Sequence, residues 1–324
     1  MAGHRHGHTF GAMSNVHVRV PASSTVVVGV DDFAPSEDAV TFAARLTGPS
    51  GCLLLACAVT VPASAGPGLD GEYVRELRAT AQGALDSLRA MVIERVAAVE
   101  TIVVIDGSPA RMLQELAAER GGPLIVVGSS HLGRLGRVLP GSTAEKLLHG
   151  APCPVVVVPK RASSTTGPLT RVGVAVDGSP ESRTALHAAA ATARAHDAEL
   201  RVIAVCDAYR FGAPAAQNGP GFFIDRDTRA QRARDRLDAA VSEAGDCVRM
   251  APVMREGAPA AEIVAESASL DVLFMGSRGY GPLRAVLLGG VGGAVVRDAA
   301  CPVVVTPRGG ARIEPGVHAV ATAA

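Results

Sequence analysis

The chain has 324 residues, more than one domain usually holds, and 48% are apolar against 19% charged, a balance that supports buried cores and excludes extended disorder outside the ends. Lys plus Arg and Asp plus Glu number 31 each, so the formal net charge is zero, which argues against a broad electrostatic surface for nucleic acid or an anionic membrane. Apolar runs such as residues 155–158 are far too short to cross a bilayer, and the N-terminal stretch has no apolar core of a secretory signal, so a cytoplasmic protein is expected.

Residues 1–23 lack hydrophobic periodicity and read as a disordered leader. His4, His6 and His8 alternate within it, which puts three imidazoles on one face of an extended segment, but no carboxylate or cysteine stands nearby to complete a metal site. Residues 25–31 (TVVVGVD) form a short β-branched run typical of a strand buried on both faces. A helix follows over 36–46, with Ser36, Glu37 and Asp38 as its N-terminal signal. A strand is predicted at 51–59, then a long helix over 72–96 whose Leu77, Ala81, Leu85, Leu88 and Val92 recur every three to four residues. The pattern continues with a strand at 99–105, a helix opened by Ser108-Pro109, a strand at 124–128, a glycine-bearing loop, a helix over 142–149 and a strand at 154–158.

Residues 161–170 are rich in Ser, Thr, Gly and Pro and predict a linker. The same order then restarts: strand 172–177, helix 180–196, strand 200–206, helix 226–243, strand 247–254, helix 259–267, strand 272–276, loop, helix 290–298 and strand 302–306. Past Arg308 the chain is Gly/Ala-rich and reads as a flexible tail. The restart is visible residue by residue. Without a gap, 126–159 and 274–307 share 14 of 34 positions at an offset of 148, an internal repeat. Strict β-α alternation with continuous apolar strands predicts an α/β chain of two tandem doubly wound parallel-sheet domains.

In such sheets ligands sit beyond the carboxyl ends of strands where the strand order reverses, which singles out Asp31 and Gly128 in the first half and Asp177 and Gly276 in the second. A carboxylate there can accept from an exocyclic amine or a ribose hydroxyl; it can equally serve as a turn or helix cap, above all in the Asp177-Gly178-Ser179-Pro180 turn. Glycines Gly128 and Gly141, and Gly276, Gly279 and Gly289, leave backbone N–H groups available to anionic oxygens at a helix start, where Ser142 adds a hydroxyl; the alternative is a turn that merely lets helix and sheet approach closely. His131 lies in the first loop, and Arg134, Arg137, Arg278 and Arg284 lie in or beside the loops. The six cysteines show no CxxC pair and read as buried free thiols. Neither a Walker loop, a dinucleotide fingerprint, a zinc-spaced cluster nor a GxSxG elbow is present.

These residues resemble the universal stress protein domain, twice over. The resemblance rests on an aspartate ending the first strand, the pattern G-x2-G-x9-G-[ST] after the fourth, and a closing CPVVVVP-type strand. It covers residues 25–308 and implies domains at 24–160 and 171–308, each Rossmann-like with strand order 3-2-1-4-5. Carry-over is unequal. The first half keeps Gly128, Gly141 and Ser142 but has His131 for the second glycine and Asp31-Asp32-Phe33 as its turn; the second keeps Asp177-Gly178-Ser179, Gly276, Gly279 and Gly289 but has Gly290 for the hydroxyl. The resemblance implies ATP, with or without magnesium, its adenosine facing the aspartates and its phosphates the loop amides. It further implies a stress-response regulator without a defined catalytic step; a ligand-free interaction scaffold and a weak ATP hydrolase are the alternatives. No nucleic-acid or membrane partner is expected. Under the implied strand order the fifth strands lie at sheet edges, and such edges invite pairing, so the two halves are expected to join antiparallel through them, with a homodimer as a further option.

Overall fold

The computed structural model describes residues 25–31, 36–60, 71–120, 124–129, 142–151, 153–160, 162, 167–207, 226–245, 249–277 and 290–307. The leader with His4, His6 and His8, the tail, Asp32 and Phe33, His131, Gly141, Gly279, Gly289, the four loop arginines and Cys247 lie outside the described residues, as does the side chain of Ser142.

The first half runs β1 (Thr25–Val30), α1 (Glu37–Thr47), β2 (Cys52–Val59), α2 (Gly71–Val92), a 3-10 turn (Ile93–Arg95), β3 (Ala98–Ile105), α3 (Pro109–Glu119), β4 (Ile125–Gly128), α4 (Ser142–Gly150) and β5 (Val155–Val158). The second runs β6 (Arg171–Val176), α5 (Pro180–His196), β7 (Glu199–Asp207), α6 (Arg226–Ala244), β8 (Met250–Gly257), α7 (Pro259–Ser267), β9 (Val272–Gly276), α8 (Gly290–Asp298) and β10 (Val303–Thr306). The ten strands among the described residues form one sheet in the order β3-β2-β1-β4-β5-β10-β9-β6-β7-β8. Each half therefore has its strands in the order third, second, first, fourth, fifth, and every pairing within a half is parallel. The halves meet where β10 pairs antiparallel with β5, Val304 opposite Val156.

The apolar strands are continuous because both faces of the sheet are covered. On one face Val28, Val126, Val156, Val304, Phe274 and Val174 pack beneath α1, α2, α5 and α6; on the other Val27, Ile125, Val157, Val303, Leu273 and Met275 pack beneath α3, α4, α7 and α8. Both layers run unbroken across the β5–β10 seam, so the two halves share their cores.

One strand sits elsewhere than its sequence suggests. The apolar pattern places it at 247–254, whereas β8 spans Met250–Gly257 and takes in Arg255 and Glu256. The reason is that β8 closes one end of the sheet: its polar residues are satisfied sideways, Glu256 by Arg226 of α6 at 2.7 Å and Arg255 by the buried Glu266 of α7.

The end of the linker is tied down rather than loose. Leu169 is buried, and Arg45 near the C-terminus of α1 donates to the carbonyls of Gly167 and Pro168 and to Asp271 Oδ1 at 2.7 Å. Asp271 Oδ2 accepts from the Thr170 and Arg171 amides and the Thr170 hydroxyl. Burial pushes the Asp271 carboxyl up, but Arg45 and these donors outweigh it and hold the group below the ordinary carboxylate value. Beside this clamp, His196 at the end of α5 hydrogen-bonds the Leu46 carbonyl at 3.0 Å.

Candidate functional site

The strand order reverses between β1 and β4 and again between β6 and β9, and these neighbours are hydrogen-bonded along their length. Their carboxyl ends bring Asp31 beside Gly128 and Asp177 beside Gly276, one crevice per half.

In each half a serine five residues beyond the aspartate accepts from the aspartate's own backbone N–H. The Asp31 N–H donates to Ser36 Oγ at 3.0 Å, and the Asp177 N–H donates to Ser182 Oγ at 3.4 Å. The sequence read Ser36 as a helix cap, yet its side chain accepts no bond from α1; the hydroxyl is turned to Asp31 instead. In the second half that capping task falls to Ser179, which accepts from the Ser182 N–H at 3.2 Å, and Pro180 opens α5. The sequence carries a signal for these paired serines: D-x4-S recurs at an offset of 146 in Asp31/Ser36 and Asp177/Ser182.

The Asp177 carboxylate also serves its own turn, with Oδ1 accepting from the Ser179 N–H at 2.9 Å while Gly178 adopts φ +82°. Across this turn lies Arg236 of α6, whose Nη1 donates to the Asp177 carbonyl at 3.3 Å. A Cβ on Gly178 would stand 3.0 Å from Arg236 Cδ, so the bare turn makes room for the arginine stem. Buried Ala233, Leu237, Ala240 and Ala244 of α6 match Ala81, Leu85, Leu88 and Val92 of α2 in spacing, which puts Ala84 at the position equivalent to Arg236. Only the second half carries a guanidinium there.

The two glycines that end β4 and β9 are unlike. A Cβ on Gly128 would meet nothing nearer than Ala39 Cβ at 3.9 Å. On Gly276 it would lie 2.5 Å from the Glu181 carbonyl carbon and 2.7 Å from the Ser182 nitrogen, so this glycine lets the first turn of α5 press onto β9. Thr306 fastens the same turn from β10, its hydroxyl within 3.3 Å of the Glu181 and Met275 carbonyls. Directly after the glycines come Ser129 and Ser277. With Thr25, theirs are the buried hydroxyls that lack a hydrogen-bond partner among the described residues. Gly290 and Ser142 stand as expected at the starts of α8 and α4, whose first N–H groups have no partner inside the helix.

The chemistry available is therefore that of hydrogen-bonding groups at paired strand ends: an aspartate held by a serine, a short residue after β4 and β9, and a helix start. Among the described residues no group of three or more His, Cys, Asp or Glu side chains could hold a metal ion, and no helix is long and apolar enough to cross a membrane. Cys52, Cys57, Cys153, Cys206 and Cys301 are buried and form no disulfide; burial pushes the Cys153 and Cys301 thiols up to about 12.

Comparison with known proteins gives a single answer. Residues 23–159 and 168–307 each match the universal stress protein family model. A universal stress protein of Mycolicibacterium smegmatis is 30% identical over 292 residues, spanning 87% of this chain and 97% of that protein. The universal stress protein MJ0531 of Methanocaldococcus jannaschii is 33% identical over 141 residues, 43% of this chain and 82% of its own length. Among solved structures, a universal stress protein from Archaeoglobus fulgidus superposes with a TM-score of 0.64 over 89% of this chain and 99% of that one; at 19% identity this likeness shows the fold.

Proposed function

Because the chain belongs to the universal stress protein family, we propose that it binds adenine nucleotide, ATP first among them, in the crevices at β1/β4 and β6/β9, and that it acts through occupancy rather than turnover, as a stress-response regulator. The observation that carries this reading is the aspartate whose N–H is held by a serine five residues on, set beside a strand-ending glycine at the point of strand reversal, a pairing present in both halves. Asp31 and Asp177 face the adenosine. Gly128, His131, Gly141 and Ser142 in the first half, and Gly276, Gly279, Gly289 and Gly290 in the second, line the phosphates, with backbone N–H groups and the helix starts as donors. The domains are taken as 24–160 and 171–308. Free buried thiols suit a reducing compartment, and the cytoplasm is the proposed location.

The halves are unequal. Arg236 over the Asp177 turn and the filled space at Gly276 favour a tighter second crevice, so two affinities are expected. Isothermal titration with ATP, with and without magnesium, tests the assignment on the wild type, Asp31→Ala, Asp177→Ala and the double variant. Each single change should remove one class of sites and the double change both; an unaltered titration of the double variant refutes the assigned residues. No heat and no co-purified nucleotide in the wild type would point to a ligand-free scaffold. Phosphate release above that of the double variant would point to a hydrolase.

A further inference from the structure

Among the described residues four large hydrophobic side chains stand exposed, Tyr73, Met91, Ile93 and Ile105. All four belong to α2, the turn after it, and β3, the layer at one end of the ten-stranded sheet. Gln82 of α2 reaches Thr101 of β3 at 3.2 Å, so α2 lies along this strand; Tyr73 stands toward the strand's carboxyl end, and Met91 and Ile93 toward its amino end.

The two terminal strands are built differently. β8 contains Pro252, which offers no N–H to a newcomer, and it carries Arg255 and Glu256 held in ion pairs. β3 reads AVETIVVI: eight residues, no proline, no basic residue, and one charge, Glu100, already paired with Arg120 at 2.9 Å. Among the described residues it is paired on one side only, with β2. A long apolar edge without these guards is where another strand adds.

Charge and symmetry say which strand. Along α2 and the turn the exposed acids Glu72, Glu76, Asp86 and Glu94 balance the exposed bases Arg75, Arg78, Arg89 and Arg95, with both signs in each half of the helix. Such a surface suits a copy of itself and offers no net field to a nucleic acid or an acidic partner. A β3-to-β8 contact would repeat head to tail into a filament, and the guards on β8 oppose it; a β3-to-β3 contact closes on a twofold axis. We propose that β3 is a dimerisation edge at which a second copy of this chain adds its own β3 antiparallel, with the two α2 helices side by side and two ten-stranded sheets joined into one.

Light scattering on the full chain after size exclusion tests this, since one copy weighs 32.9 kDa. The wild type should run at twice that mass at micromolar concentration. Ile102→Lys, a charge set on the edge, and the surface pair Met91→Glu with Ile93→Glu should each weaken association at least ~10-fold, while Met254→Lys on β8 should leave it intact. Should Ile102→Lys fail to fold, the exposed pair decides alone. A monomeric wild type, whether through a covered edge or a different protein partner, overturns the proposal. So does a dimer that survives the surface pair, or one broken by Met254→Lys.

Discussion

Gly128 and Gly276 occupy equivalent positions in the repeat, and replacing each with alanine should give opposite results. On Gly276 the new Cβ falls 2.5 Å, 2.7 Å and 2.8 Å from three atoms of Glu181 and Ser182, two of them backbone. An ordinary contact begins near 3.4 Å, so the start of α5 would have to retreat by about 1 Å. Backbone cannot rotate aside as a side chain can, and the cost belongs at the upper end of the ~1–3 kcal/mol range for overpacking. The displaced turn also carries Ser182, which holds Asp177, and the Glu181 carbonyl, which accepts from Thr306. On Gly128 the nearest neighbour is 3.9 Å away, and loss of glycine's freedom in the unfolded chain should leave stability unchanged or raise it by up to ~1 kcal/mol. Urea denaturation of the two single variants should therefore separate them by ~3 kcal/mol, more than a hundredfold in the folding equilibrium. Amide exchange in the first turn of α5 should quicken in Gly276→Ala alone. Equal destabilisation of the two variants, or a larger loss for Gly128→Ala, would refute the argument from close packing.

The Asp271 clamp predicts a pH dependence. Its carboxyl is depressed in the fold, so its stabilisation is complete above the ordinary value of 3.8 and is lost as pH falls through the lower folded value. Melting temperatures of the wild type and Asp271→Asn should differ at pH 6 and converge as pH drops below 3.8; a gap that widens on acidification contradicts the assignment. The thiols of Cys153 and Cys301, pushed up to about 12 and enclosed, should not react with a disulfide reagent at pH 8 until the chain unfolds; rapid labelling of either in the native protein would show that the enclosing layer opens.

Much of the architecture was legible because the strands are buried on both faces and so read as unbroken apolar runs, while Ser-Pro pairs mark helix starts at Pro109 and Pro180. β8 was misplaced by three residues because an end strand meets its needs through side chains, and Arg255 and Glu256 look like loop residues until their partners are seen. At the crevices the aspartates and strand-ending glycines stand where their position along the chain puts them. Their packing is not written there. Ser36 resembles a side-chain cap but accepts from the Asp31 N–H, and Gly276, besides its proposed place at the phosphates, makes way for α5. Arg236 was beyond reach, since nothing along the chain brings an arginine of α6 over a turn 59 residues earlier.

The antiparallel seam between β5 and β10 sets the direction of everything else. All strands of one half run with β5 and all strands of the other with β10, so the crevice at β1/β4 opens at one rim of the molecule and that at β6/β9 at the opposite rim. A body covering one mouth leaves the other open to solvent. The protein is in this sense two-ended: each rim of the shared sheet carries its own crevice, and the two face opposite ways.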